Sequence, residues 1–437
     1  MTSKTSELIS GRMRLHSVET DGFKMSRFSL NFIEKSDKRT SPLTKLMLAV
    51  MLRGSEKYPT ITKINKALDE QYGAAVSFRS TTVGDKTVHK ISSKLLKDKY
   101  AFEGDNTDIL ENVMAILSDI LLHPLTDENG LLLSSYVESE KKIAIDQINA
   151  KINDPKAYAS EQCSKKMFEG SRYSVVLDGN SDIIESFTPS ELTANIRRFF
   201  SECRVECYYI GNKSHERIKS LVEKYFPFED TGKCGAIYSE TAFCGQGNGI
   251  KYVDEDADVS QGRLVLGYRC NTVLSDKNYY AMALFNEIFG GASVSKLFMN
   301  VREKKSLCYY CYSSFHTSTG TIKVGCGIDP LKKDEALAEI AVQLDAMKQG
   351  DFSHEEIETA KHTLTAGVKQ ITDSPASIEA FMLRRLLANV DEDLDACAER
   401  INDVTKEDIL AAAEKVELDT VYFLNGSDIY EGDGEDE

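Results

Sequence analysis

One order of elements is written twice along this chain, and that duplication limits its fold more than any single motif does. In the first half, residues 28–32 alternate apolar and polar, with Phe28, Leu30 and Phe32 on one side, which predicts a strand. Leu43, Leu46, Met47, Val50 and Met51 then recur at helical spacing, with Pro42 near the start of the helix they predict. A short helix over 62–71, strands over 76–80 and 87–94, and helices over 110–122 and 131–152 follow. Thr188-Pro189-Ser190-Glu191 opens another helix, and 205–210 reads as a strand. The second half repeats the pattern: a strand over 263–268, helices over 277–289 and 296–304, paired strands over 309–315 and 321–328, and long helices over 332–349 and 354–371. Helices over 378–387 and 406–416 and a strand over 421–424 close it. The expectation is α+β: two tandem domains, 1–226 and 250–427. Residues before 28 read as a mobile start, 227–249 as a linker rich in Gly, Asp, Glu and Thr, and 428–437 as a solvated acidic tail.

Charge narrows the function classes. With 53 basic against 69 acidic residues the net charge is −16, the wrong sign for a nucleic-acid or anionic-membrane surface. No apolar run reaches the length of a membrane span, and the first residues, Met1-Thr2-Ser3-Lys4-Thr5-Ser6-Glu7, have no apolar core of a secretory signal. A cytoplasmic location is therefore expected. The ten Cys then read as reduced thiols rather than a disulfide framework. Cys308-Tyr309-Tyr310-Cys311 is the only C-x-x-C; in a regular strand its two thiols point to opposite faces, so it reads as structural.

The segment Lys45-Leu46-Met47-Leu48-Ala49-Val50-Met51-Leu52-Arg53-Gly54-Ser55 carries a more specific signal. It resembles the first active-site helix of the pitrilysin/insulinase family of zinc peptidases, which includes the mitochondrial processing peptidase. That family writes His-x-x-Glu-His there, followed by a basic residue, Gly and Ser or Thr. Leu68-Asp69-Glu70-Gln71-Tyr72-Gly73-Ala74 and the helix from Ser139-Glu140 to Gln147-Ile148 resemble further segments of it. The resemblance implies two α/β-sandwich domains forming half of a clamshell. Under this alignment the two His positions fall on Lys45 and Ala49, the general base on Leu48, and the third ligand on Gln147. Two imidazoles a helical turn apart, with a carboxylate, make a zinc site. Lys, Leu and Ala supply neither ligand nor base, and a neutral amide is a poor substitute for a carboxylate. No metal, no cofactor and no catalytic residue is expected in this half.

The second half keeps what the first has lost. Val301-Arg302-Glu303-Lys304-Lys305-Ser306-Leu307-Cys308-Tyr309 resembles the family's Val-Arg-Glu-x-x-x-Leu-x-Tyr signature. There the Arg and Tyr act on a substrate bound at the zinc, the Arg as a forked donor and the Tyr at the oxyanion. The resemblance thus implies that Arg302 and Tyr309 bind substrate while another chain brings the metal. This is the pattern of a non-catalytic subunit paired with an active zinc-containing homologue, acting on a peptide or protein; a homodimer is the other pairing. The alternative is a non-enzymatic scaffold that holds a peptide or protein. The long Gly-rich loop of the mitochondrial non-catalytic subunit is missing, since only Gly290-Gly291 stands in that region. His354, Glu358 and His362 share a helix face but not the family's spacing, and read as solvated surface.

Overall fold

The computed structural model describes residues 3–102, 104, 107–228 and 249–426. Most of the expected linker and all of the expected tail lie outside them. In chain order the elements are β1 (Ser3–Ser10), β2 (Met13–Glu19), β3 (Met25–Lys35), α1 (Thr40–Met51), α2 (Ile61–Asp69), β4 (Ala75–Val83), β5 (Lys86–Leu96), α3 (Ile109–Leu122), α4 (Ser134–Asn149), α5 (Pro155–Met167), α6 (Ser181–Glu185), α7 (Pro189–Glu202), β6 (Arg204–Gly211) and α8 (His215–Tyr225). Then follow β7 (Lys251–Ala257), β8 (Gly262–Arg269), α9 (Tyr279–Asn286), β9 (Cys308–His316), β10 (Thr321–Ile328), α10 (Lys333–Lys348), α11 (His354–Gln370), α12 (Pro375–Leu387), α13 (Leu394–Asn402), α14 (Lys406–Ala413) and β11 (Glu417–Gly426).

Two sheets carry the duplication. The first runs β1-β2-β6-β3-β5-β4 and the second β7-β11-β8-β10-β9. Strand for strand, β7, β11, β8, β10 and β9 repeat β2, β6, β3, β5 and β4. Each sheet has one parallel pair, β2 with β6 and β7 with β11, and its other neighbours are antiparallel. The parallel strand that joins late in each half closes a long crossover, as parallel pairing requires.

The residues before 28 are not a mobile start: from Ser3 onward they form β1, β2 and the beginning of β3. Sequence periodicity hides β2 because it buries polar residues: His16 Nε2 meets Glu206 Oε2 at 2.7 Å and the His16 ring stacks on Tyr208. Likewise α5 shows almost no apolar stripe, yet Asp154 caps it by accepting from the Ala157 amide at 3.1 Å, with Pro155 at its first turn. The helix expected over 131–152 ends earlier, and α8 and α13 were not foreseen.

The compact units also differ from the contiguous blocks 1–226 and 250–427. One unit comprises the described residues up to Asn149, those from Val175 to 228, and Thr372–Arg384; the other comprises Ala150–Ser174, 249–371 and 385–426. Thus α5 belongs with the second sheet, and most of α12 with the first.

In the first unit, Phe28, Leu30 and Phe32 of β3 face a core shared with α1, α3, α7 and α8. The intervening Arg27, Ser29 and Asn31 face the other way, onto Glu379 of α12. Glu379 is fully buried; its Oε1 accepts from Ser29 Oγ at 2.7 Å and Asn31 Nδ2 at 3.2 Å and meets Lys90 Nζ at 2.9 Å, while Arg27 Nε bonds Oε2. In the second unit, Ala159 and Cys163 of α5 pack with Val265, Tyr422 and Leu424. Gly267 admits this helix, since a Cβ there would stand 2.9 Å from Met167 Sδ. Arg269 completes the seat, binding Asp419 Oδ2 at 2.6 Å through Nε and the Met167 carbonyl at 3.0 Å through Nη2.

Burial alone would raise the Glu379 pKa, but the charges of Lys90 and Arg27 outweigh it and the net direction is down. Glu379→Ala leaves two cations beside a sheet face without their anion and is expected to cost about 3–5 kcal/mol in urea denaturation. Because the folded pKa is depressed, the stabilisation is present above the unfolded carboxylate value of about 4.3 and is lost as pH falls through the folded value. The wild type should therefore lose more stability than Glu379→Gln between about pH 5 and pH 3, read as the shift in urea midpoint.

Candidate functional site

The helix that resembles a zinc site is held in place by the residues flanking the ligand positions. At its start, Asp37 Oδ1 accepts from the amides of Arg39 (2.9 Å) and Thr40 (2.8 Å). At its end, Arg53 Nη1 reaches Glu140 Oε1 at 2.7 Å, and its guanidinium lies over the Tyr136 ring, tying α1 to α4. Gly54 is required by a close approach: a Cβ would lie 2.7 Å from the Pro59 carbonyl oxygen. Ser55 Oγ donates to Asp119. Arg53, Gly54, Ser55 and Glu140, the parts of the two motifs that are kept, thus all have structural work.

The four positions aligned with the zinc site have different surroundings. Leu48 is fully buried in the core of the first unit, where a carboxylate base would have no partner. Ala49 is half-buried and offers no donor atom. Lys45 does not extend freely into solvent: its ammonium is ion-paired with Asp178, from the loop before α6. Gly179 beside it holds φ +68°, and a Cβ there would press on the Pro42 ring at 3.3 Å, so the loop is seated directly on the start of α1. Gln147 is exposed on α4, and its side chain makes no hydrogen bond among the described residues. Sequence reasoning missed Asp178; its only local signal is Asp178-Gly179-Asn180, a turn type that says nothing of a partner on α1. Among the described residues no group of three or more His, Cys, Asp or Glu is placed to hold a metal ion. His354 and His362 are exposed, and Glu358 meets Lys361 at 3.6 Å.

Arg302 and Tyr309 come together in the second unit. Residues Leu297–Lys304 form a π-helical segment, a wide turn often found at functional sites. Its end is set by Ser306, whose φ of +50° is a left-handed conformation uncommon for serine. There the Ser306 amide donates to the Arg302 carbonyl at 3.0 Å, and the Leu307 amide to that of Val301, also at 3.0 Å. The chain then turns straight into β9. Arg302 and Tyr309 line one open cleft of about 460 Å³ with Ser306, Cys308, Asp329 and Lys332. The Arg302 side chain is 41% exposed and stands over the Phe298 ring, and its salt-bridge partner among the described residues is Glu303, at 3.6 Å. Tyr309 is 62% exposed. Both keep donors available to a ligand.

The same turn contains a feature that strand alternation concealed. The pairing of β9 with β10 shifts at Gly327/Ile328: Gly327 opposes Tyr310, but Ile328 opposes Cys308, leaving Tyr309 as the extra residue of a β-bulge. The bulge resets the alternation, so Cys308 interacts with both Cys311 and Cys326 instead of pointing away from them. The reading of Cys308 and Cys311 as thiols on opposite faces is thereby corrected.

A family model described as "Peptidase M16 inactive domain" matches residues 186–364. The chain is similar to "Probable inactive metalloprotease YmfF" of Bacillus subtilis (strain 168), 32% identical over 425 residues that cover 96% of this chain and 97% of the relative. It also resembles "Uncharacterized zinc protease YmxG" of the same organism, at 23% identity over 69% of this chain and 71% of the relative. Among solved structures, a conserved protein from Enterococcus faecalis V583 superposes with a TM-score of 0.89 at 26% identity, covering 97% of this chain and 98% of that one. A "peptidase M16 inactive domain" from Pseudomonas fluorescens shares the fold at a TM-score of 0.78 and 18% identity, covering 98% of each chain. The chain belongs to the M16 metallopeptidase family, the pitrilysin/insulinase group of the sequence reading, and is an inactive homologue within it. Among the described residues no helix is long and apolar enough to cross a membrane.

With its ligand positions replaced, the purified chain is expected to carry no stoichiometric zinc, measured by elemental analysis after gel filtration. Leu48→Glu alone should not begin to rebuild the site. It places a carboxylate in an apolar core and is expected to lower stability by about 3 kcal/mol or more, read from the denaturation midpoint.

Proposed function

We propose that this chain is the non-catalytic, substrate-binding subunit of a two-chain zinc peptidase, paired with a homologous chain that supplies the metal. The observation that carries this reading is the contrast between its two units. In the first, Lys45 is paired, Leu48 is buried and Ala49 has no ligand atom, so no hydrolytic centre can assemble. In the second, Arg302 and Tyr309 share an open cleft and are not consumed by internal bonds. Side chains kept only for packing would be buried or tied to neighbours.

The chemistry follows from the donor types. The Arg302 guanidinium presents a planar fork of N–H groups to a peptide carbonyl or a C-terminal carboxylate. The Tyr309 hydroxyl can donate to a carbonyl oxygen as it gains negative charge during hydrolysis. Neither group breaks a bond; both orient the peptide and offset charge while the partner's metal activates water. The chain acts in the cytoplasm in this reading, on a peptide or protein substrate.

The test is reconstitution with a homologous chain bearing an intact His-x-x-Glu-His. Arg302→Ala or Tyr309→Phe is expected to lower the turnover of the pair by about 10²-fold, as for loss of one oxyanion donor. The melting temperature of the variant and its assembly with the partner should be unchanged. Unchanged turnover with unchanged stability would overturn the split-site reading and leave a binding scaffold. A fall in melting temperature large enough to account for the lost activity would assign both residues to the fold instead.

A further inference from the structure

Three thiols meet beside the Arg302/Tyr309 cleft, which one of them, Cys308, lines. Cys311 and Cys326 are directly opposed on β9 and β10, with their sulfurs 2.9 Å apart. Opposed positions of an antiparallel pair bring Cα atoms to roughly 4.5–5.5 Å, within the span a disulfide bridges. Two thiolates on one tetrahedral zinc, each about 2.3 Å from the metal, would be held about 3.8 Å apart. The closer approach favours direct sulfur–sulfur chemistry. Both thiols are buried, whereas Cys308, carried round by the bulge, is only half-buried and lines the cleft. Nothing in the peptidase-like reading uses these groups.

The three sulfurs also differ in ionisation. Interactions with the Cys311 and Cys326 thiols hold Cys308 well below the usual thiol range, against the effect of burial, and the Arg302 guanidinium adds a smaller contribution. Cys311 and Cys326 are pushed well above it, chiefly because each is hydrogen-bonded to the Cys308 sulfur, with burial and the Cys308 charge acting in the same direction. The cluster thus sets one cleft-lining thiol of lowered pKa beside two buried thiols of raised pKa.

We propose that Cys308, Cys326 and Cys311 form a peroxide-responsive thiol relay, in which Cys308 reacts at the cleft and the oxidation ends as a Cys311–Cys326 disulfide. The Cys308 thiolate attacks one oxygen of hydrogen peroxide, breaking the O–O bond to give a sulfenic acid and hydroxide. The Cys326 thiol attacks the Cys308 sulfur and expels water, making a Cys308–Cys326 disulfide. The Cys311 thiol then attacks the Cys326 sulfur and displaces Cys308 as a thiolate. In sum, two thiols lose two hydrogens and peroxide becomes two waters. Because the new bond crosses the bulged pair that carries Tyr309, oxidation stiffens the strand that shapes the cleft.

The test uses the full chain, purified reduced, with hydrogen peroxide as probe and peptide mass mapping as readout. The expected product lacks two hydrogens and joins the peptides containing Cys311 and Cys326. Before peroxide is added, iodoacetamide should label Cys308 at least about tenfold faster than either neighbour in the native protein. Cys308→Ser should slow formation of the Cys311–Cys326 bridge at least about tenfold. Cys326→Ser should stall the reaction at a Cys308 sulfenic acid that a dimedone probe captures. If that variant does not fold, a quenched time course of the wild type must show the Cys308 adduct before the bridge. Absence of any bridge among the three, an unaltered rate in Cys308→Ser, or the bridge preceding the adduct would each overturn the relay.

Discussion

A two-faced sheet whose second face is polar must be given a partner that satisfies it, and this fold depends on how that is done. On the first sheet the face opposite the apolar core presents Arg27, Ser29, Asn31 and Lys90, and one buried carboxylate, Glu379, answers all four. On the second sheet Arg269 and Lys323 play the matching part. Arg269 holds Asp419 and the end of α5, while Lys323 reaches Ser160 Oγ at 2.8 Å and Ser164 Oγ at 3.0 Å on the same helix. In each case the covering helix comes from the other half of the sequence. Buried ionic contacts of this kind are poor sources of net stability but discriminate strongly against wrong partners. That property suits a duplicated chain, which must match each helix to one of two similar sheets.

The same scaffold separates the positions that resemble zinc ligands from the residues that hold the helix. In α1 and α4 the ligand positions and the structural positions are different residues. Arg53, Gly54, Ser55 and Glu140 carry the helix–helix contact and the turn, and all four are present. Leu48 now adds to the core, and Lys45 is neutralised by the loop seated over the start of the helix.

The cleft of the second unit is built differently, from backbone rather than side-chain chemistry. A π-helical segment, a left-handed serine and a β-bulge follow one another between residues 297 and 310. Each departs from regular geometry, and together they bring Arg302, Cys308 and Tyr309 to one opening. Departures of this kind gather where a chain positions functional groups rather than where it maximises packing. The retained Arg and Tyr and the three-thiol cluster are thus products of the same local irregularity.

Apolar periodicity in the sequence determined α1, α3, β3 and β6, because their residues face a single apolar core and one period describes each. It determined the duplication too. Tertiary structure alone decided the rest. β2 and α5 bury polar faces whose partners, Glu206 and Lys323, lie far along the chain, so no local pattern reveals them. Lys45 has its counter-ion only because the chain returns to it 133 residues later. Cys308 joins Cys311 and Cys326 because a single extra residue in β9 inverts the alternation on which any reading of a strand relies, and that residue is set by pairing with β10 rather than by the sequence of β9 itself.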